Sequence, residues 1–388
     1  MNIQDEFSVI LYALRFAGFN ASEKNYRLEL TLKEKLRNYI LYIYEVVSIL
    51  FAIILIFTSI FSLTYDTPII KFTSASLHVI LFLIRLSLFL KRSQLRKTLR
   101  KLRIFARNGC TRSIYRNYAL FACSVSFVIP LIVAISATVV VLGNSTEHKD
   151  ITLIGDETGY SYNIYMIGFV TTQILYTVNF LVFPGLVMTF LSFMYLSYID
   201  AVKRHFEAEL LNILRNFSHE AISKCLNIFM VANRIHRDME KSLSLTAFLT
   251  YVLTFGNILN IVCIFAVNFL SNMQTLRSLY TNSVFIWTIS WFVFLTICGS
   301  RATELGYFLK NIVQEVATKS LRYPPVKSSR DLMYLQLFDA CSKLNLNFTA
   351  WGMFRLNKRL LLTTSGVLVT YGILFASEIR GISAMKQE

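Results

Sequence analysis

Charge is scarce in this chain. Only 16% of its 388 residues are Asp, Glu, Lys or Arg, while 55% are hydrophobic. A water-soluble domain of that length carries more charge, between shorter apolar runs. Catalytic signatures are absent: there is no HExxH, no CxxC, no Gly-rich phosphate loop and no GxSxG. Five histidines are scattered through the chain, and His205, His219 and His236 share one connection without metal-ligand spacing. They are expected to be solvated residues of soluble helix extensions, so neither an enzyme nor a bound metal or cofactor is expected. Residues Met1 to Asn20 carry Asp5, Glu6 and Arg15 and hold no uninterrupted apolar core followed by a small-residue cleavage site. No removable signal peptide is therefore expected, and the first span serves as a signal anchor.

Long apolar runs are what the chain has instead. A helix crossing about 30 Å of hydrocarbon needs roughly 20 mostly apolar residues at about 1.5 Å each. Seven stretches meet or approach that length: Ile40 to Leu63, Ile69 to Leu90, Ala119 to Leu142, Ile164 to Ile199, Ala247 to Leu270, Ser283 to Ser300 and Leu360 to Ser377. The second is the weakest, interrupted by Lys71, His78 and Arg85. The fourth is too long for one crossing and is expected to tilt or to project beyond the membrane. The predicted fold class is all-α, a polytopic membrane protein with seven transmembrane helices. Four regions follow: a cytoplasmic segment 1–39, six spans with cytoplasmic extensions over 40–300, a cytoplasmic anchor segment 301–359, and a last helix with a short external tail over 360–388.

Basic residues set the orientation, because Lys and Arg near span ends stay on the cytoplasmic side. The segment Lys91 to Asn117 holds ten of them and no Asp or Glu. The next connection, Gly143 to Asn163, sets Lys149 against Glu147, Asp150, Asp156 and Glu157. Alternation then puts the N-terminus inside and the C-terminus outside, an inverted topology for a seven-helix protein. The formal charge of +16 and pI near 9.6 follow from these inside segments, so no nucleic acid partner is expected; the partner is the lipid bilayer. None of the six cysteines falls in a predicted external loop, and no disulfide is expected. Asn144-Ser145-Thr146 is a glycosylation sequon in such a loop. The same pattern at Asn20, Asn216 and Asn347, in segments placed inside, leaves both acceptor and chance match open at Asn144.

Polar groups inside spans are candidates for function because lipid cannot satisfy them. Arg85 lies about one turn from the cytoplasmic end of the second span and is expected to snorkel to the headgroups. Asn257, Asn260 and Asn268 recur along the fifth span and suit bonding between helices. Thr172, Gln173 and Tyr176 enrich the outer half of the fourth span and are the candidate ligand-binding residues, lining a cavity open to the outside. In the cytoplasmic connections, Val202 to Asn227 and Asp331 to Leu356 have helix-like apolar spacing. Leu337, Cys341, Leu344 and Phe348 share one face there and are expected to join subunits.

The end of the chain carries the most specific signal. Gly352-Met353-Phe354-Arg355-Leu356-Asn357 leads into Leu360-Leu361-Leu362 and then Thr370-Tyr371-Gly372-Ile373-Leu374-Phe375-Ala376-Ser377-Glu378. This resembles the C-terminal signature of insect gustatory receptors, in which Thr-Tyr and five apolar residues precede Gln-Phe. Ser377 and Glu378 stand where that pair usually stands. Length, seven spans, an inside N-terminus and a long final cytoplasmic connection extend the resemblance over nearly the whole chain.

The resemblance implies a homo- or heterotetrameric ligand-gated cation channel of the plasma membrane, opened by a small-molecule tastant, with the last span lining a central pore. Thr370, Leu374 and Ser377 fall on one helix face at i, i+4 and i+7, with Glu378 adjoining it. With Tyr371 they are the candidate pore-lining residues, Leu374 as an apolar constriction and Glu378 at the external mouth. The alternative for Glu378 is that it ends the span at the headgroups and pairs with Arg380. Two rival functions are weighed. A G-protein-coupled receptor needs an outside N-terminus, and the chain lacks Asp-Arg-Tyr at its third span and Asn-Pro-x-x-Tyr in its seventh. A transporter draws support only from Pro130 and Pro184 inside spans.

Overall fold

The computed structural model describes residues 4–19, 32–61, 68–107, 115–147, 159–215, 219–270, 275–321, 336, 339 and 346–385. Helices form wherever the apolar runs lie, since hydrocarbon offers backbone N–H and C=O groups no partner outside the helix itself. In chain order they are α1 (Gln4–Phe16), α2 (Leu32–Phe61), α3 (Pro68–Leu90), α4 (Arg92–Arg107), α5 (Tyr115–Glu147), α6 (Gly159–Thr177), a π turn (Val178–Val182), α7 (Phe183–Arg215), α8 (His219–Leu270), α9 (Thr275–Leu321) and α10 (Arg359–Met385). A hairpin of β1 (Thr349–Ala350) and β2 (Phe354–Arg355) precedes α10.

Each expected span falls on a helix: α2, α3, α5, α6 with α7, α8, α9 and α10. Six are long and apolar enough to cross a membrane by length and composition, and in α10 the described apolar stretch is Arg359–Leu374. Helix α5 runs on to Glu147, so the backbone of Asn144 is helical rather than looped, while its side chain lies outside the described residues. Pro130 sits inside α5, and Pro184 follows directly on the π turn at the start of α7.

Several helices outrun the bilayer. At 52 and 47 residues, α8 and α9 are about 78 and 70 Å long, more than twice the hydrocarbon thickness. By the distribution of Lys and Arg the surplus lies on the cytoplasmic side; in the fourth span, expected to tilt or to project beyond the membrane, α6, the π turn and α7 form one rod of 19, 5 and 33 residues. Its lower part is the centre of the molecule. Leu181 to Ile199 are all buried, because α7 packs against α1, α4, α5, α8 and α9.

Helix α1 shows how the sequence fixes an element outside the spans. Phe7, Ile10, Ala13 and Leu14 are buried, a helical stripe that packs on α5 and α7. The helix stops at Gly18, whose φ of +87° suits a residue without Cβ. The Gly18 N–H donates to the Arg15 carbonyl at 3.1 Å and the Phe19 N–H to the Leu14 carbonyl at 2.9 Å. That pair of bonds is a Schellman cap.

One expectation fails in the last cytoplasmic connection. Gln336 and Asp339 are helical, and Leu337, Cys341 and Leu344 lie outside the described residues, but 346–356 is extended and turned rather than helical. Phe348 is 1% exposed and stacks on Tyr195 within its own subunit, ring centres 4.3 Å apart. It therefore belongs to the subunit core, not to a stripe between subunits.

Candidate functional site

Three rings meet in the outer half of the spans. Tyr176 of α6 stacks on Phe180 of the π turn, centroids 5.4 Å apart, and His78 of α3 lies 5.4 Å from Phe180 and 6.2 Å from Tyr176. His78 is 4% exposed. Its Nδ1 is 2.8 Å from the Ser74 carbonyl, which only accepts, and 3.1 Å from Ser59 Oγ, whose proton goes to the Leu55 carbonyl. Nδ1 therefore carries the hydrogen, and in a neutral ring Nε2 is a bare acceptor. Nε2 is buried and has no partner among the described residues. A buried acceptor among aromatic faces is suited to a small apolar molecule with one hydrogen-bond donor. Gln173 is half-buried one turn outward of Tyr176, and Thr172 is exposed, its hydroxyl donating to the Gly168 carbonyl at 2.9 Å.

Arg85 does not snorkel. It is 4% exposed and reaches inward: Nη2 donates to Asn179 Oδ1 at 2.6 Å, Nη1 to the Ala17 carbonyl at 3.1 Å, and the guanidinium lies 3.8 Å from the centre of the Phe183 ring. The reason is the neighbouring geometry. The capped end of α1 supplies a carbonyl, and the π turn supplies Asn179, whose amide holds the Leu175 carbonyl at 2.8 Å. A Cβ on Gly18 would sit 2.6 Å from Ser48 Oγ and 3.2 Å from Arg85 Nη1, so only glycine lets α1, α2 and α3 close around this cation. Asn260 bonds between helices as expected, accepting from Thr73 Oγ1 at 3.2 Å. Asn257 is buried, and the side chain of Asn268 lies outside the described residues.

The segment before α10 is clamped to α8 and α9. Trp351 and Gly352 both have positive φ, 53° and 71°, the signs of a type I′ turn, closed by the Met353 N–H on the Ala350 carbonyl at 3.0 Å. Glu240 of α8 accepts from the Thr349 N–H at 2.8 Å and from Thr349 Oγ1 at 2.6 Å. On the α9 side, Thr303 Oγ1 donates to Asn347 at 2.8 Å and Lys358 pairs with Glu304 at 2.6 Å. Leu356 is buried against Gly299, where a Cβ would come within 3.0 Å. Asn357 then caps α10 through its Oδ1 and the Leu360 N–H. The Gly352-to-Asn357 motif thus forms the turn, the second strand and the cap that start the last helix.

Helix α10 packs mainly on α8, with Gly372 close to Val262. Its other sides are bare: Leu362, Val369, Ile373 and Leu374 are all more than half exposed. Thr370 and Tyr371 are exposed with them, and Thr370 Oγ1 is satisfied by the Gly366 carbonyl at 2.9 Å. The helix continues through Ser377 and Glu378, whose side chains lie outside the described residues. Among the described residues no three His, Cys, Asp or Glu come together as a metal site.

No protein-family model matches the chain, and no curated protein matches it in sequence. Its backbone does match solved structures. The insect olfactory receptor OR5 from Machilis hrabei in complex with eugenol aligns with a TM-score of 0.67 at 11% identity, over 96% of this chain and 99% of that one. A second structure of the same receptor aligns at 0.65 and 12% identity, over 95% and 96%. This chain has the insect olfactory receptor fold. That fold is an all-α architecture, in agreement with the apolar runs of the sequence. Within it, Tyr176, a ligand-binding candidate from the sequence, stands beside two rings that the sequence reading did not name. His78 registered only as an interruption of the second span, and Phe180 as one more apolar residue.

Proposed function

We propose that this chain is a subunit of a gustatory-type chemosensory receptor, a ligand-gated cation channel of the plasma membrane opened by a small tastant. The observation that carries the reading is the buried, unpartnered Nε2 of His78 among the Tyr176 and Phe180 rings. It makes the ligand a compact, mostly apolar molecule bearing a hydroxyl or N–H, with Gln173 and Thr172 within a turn of Tyr176 on the outer side. Support also comes from the solved structure of OR5 with eugenol. The gustatory assignment rests on the resemblance of the C-terminal segment, including Thr370-Tyr371.

The bare face of α10 supports assembly, since side chains such as Leu362 and Ile373 are covered when four copies surround an axis. In that arrangement Thr370, Tyr371, Leu374, Ser377 and Glu378 line the pore. A ring of carboxylates at Glu378 attracts cations, and Asn144 carries a glycan on the outer side.

Patch recording of cells expressing the chain, alone and with candidate co-receptors, against sugars and bitter compounds tests this. His78→Leu and Tyr176→Ala should each raise the half-activating ligand concentration about tenfold or more without changing unitary conductance. Glu378→Gln should lower cation conductance. Unchanged ligand sensitivity in both outer-half variants would overturn the ligand site, and unchanged conductance in Glu378→Gln would remove that residue from the pore.

A further inference from the structure

Where the apolar stretches of α3 and α8 end on the cytoplasmic side, the two helices are tied together. Lys91 Nζ donates to the Lys241 carbonyl at 2.8 Å, and ten residues on, Lys101 Nζ bonds Asp238 at 2.5 Å. Helix α4 follows α3 with only Lys91 between them and contains seven Lys or Arg and no acidic residue. It is not a loose amphipathic helix. Leu95, Leu99, Leu102 and Phe105 are buried against α8 and α7, which turns Lys97, Arg100 and Lys101 outward. Helix α8 adds Arg234, Arg237 and Lys241, all exposed.

We propose that this paired basic surface binds the polyphosphorylated headgroup of an inositol phospholipid in the inner leaflet. The depth is right for a lipid. Lys97 is six residues and Arg234 seven residues beyond the Lys91–Lys241 level, about 9 and 10 Å, which is the distance a phosphorylated sugar headgroup stands off the hydrocarbon. The charge is right too. Lys97, Arg100, Arg234, Arg237 and Lys241 have no ion pair among the described residues, and the nearby acids are occupied, Asp238 by Lys101 and Glu240 by Thr349. Lys101, paired with Asp238, and Arg234 stand at the border of a cavity of about 370 Å³ between α4, α7 and α8 that is otherwise lined mostly by apolar side chains such as Ile104, Phe105 and Val231, so the basic rows of both helices flank one opening. Phosphomonoesters carry up to two charges each and suit guanidinium forks. A single-charge headgroup leaves most of these cations unused. Because α4 is held by its buried face, the cations are presented on a fixed frame, so little ordering opposes binding.

The test uses the full chain purified in detergent and a fluorescent short-chain phosphatidylinositol bisphosphate, followed by anisotropy. Phosphatidylcholine, phosphatidylserine and free inositol trisphosphate serve as competitors. Binding should be saturable, weaken with salt and resist the first two competitors. A variant with Lys97, Arg100, Arg234 and Lys241 changed to Gln should bind about 600-fold more weakly, at roughly fivefold per charge. Arg301→Gln with Lys310→Gln, on the exposed cytoplasmic face of α9, should bind as the unaltered chain does. Equal affinity in the fourfold variant, or displacement by phosphatidylcholine, overturns the proposal. Displacement by inositol trisphosphate at the lipid's own affinity would assign the site to a soluble anion and overturn the lipid. If the fourfold variant does not elute as folded protein, the salt dependence of the unaltered chain decides, and binding insensitive to salt overturns the site.

Discussion

Lowering the pH from 7.5 to 5 should loosen the cytoplasmic clamp through one residue, His236. Its ring lies in the cytoplasmic half of α8, 6% exposed, 4.9 Å from the Phe348 ring and 6.0 Å from Tyr198, against the backbone of Leu346 and Asn347. Burial drives its pKa down to about 4, aided by the neighbouring Arg237 and opposed by those backbone bonds. The unfolded imidazole takes a proton near pH 6.5, whereas the folded one resists until about pH 4. Its stabilisation is therefore complete above pH 6.5 and is lost as the pH falls towards 4. At pH 5 the loss is about 2 kcal/mol, roughly a 30-fold change in the folded-to-unfolded ratio. Glu240 acts in the opposite sense. Burial raises its carboxyl despite the two Thr349 bonds, so its contribution is present at low pH and is lost as the pH rises through that raised value. Unfolding midpoints of the full chain in detergent at pH 7.5 and 5 measure the balance. His236→Gln should remove most of the acid-side loss, and Glu240→Gln should enlarge it. An acid shift in His236→Gln as large as in the unaltered chain would refute the assignment.

Gly18→Ala should cost about 2 kcal/mol or more, because φ is +87° and the new Cβ meets Ser48 Oγ at 2.6 Å; a lower unfolding midpoint, partly restored by adding Ser48→Gly, checks it. Arg85→Met should cost about 3–5 kcal/mol by leaving Asn179 Oδ1 and the Ala17 carbonyl buried without a donor, with α1 becoming the first site of limited proteolysis. Phe348→Glu should abolish folded, monodisperse protein rather than yield intact single subunits in size-exclusion chromatography, since it puts a charge into the subunit core. A tag at Met1 should be reached by antibody only after permeabilisation and a tag after Glu388 on intact cells.

The spans were legible because hydrocarbon imposes a length and an apolar content that composition alone reports, and the inside segments because lysine and arginine mark them. Arg85 was not. A basic residue one turn from a span end reads the same whether it reaches headgroups or partners 68 and 94 residues away, and its true partners depend on where α1 ends and where the π turn falls. The hairpin was hidden by coincidence. Leu344 and Phe348 are four apart, which matches a helix, but the Trp-Gly pair and Asn357 just beyond carried a turn and a cap that outweighed the spacing. Phe180 follows Tyr176 by four residues, a helical spacing that puts the two rings on one face, but His78 comes from a distant segment, and its meeting with them is set by packing between helices that no local pattern records.

Helix α8 runs unbroken for 52 residues from the cytoplasm through the membrane, a length that gives any tilt of it a long arm. The hairpin grips it at Glu240, about 32 Å from its first residue and 45 Å from its last. A tilt of about 3° around that grip carries the far tip about 2 Å sideways, while the carboxylate and the strand it holds scarcely move. Helix α10 begins beside this grip and rests on the longer arm through Gly372 and Val262. Any such tilt would displace the last helix least where it starts and increasingly along it towards Leu374.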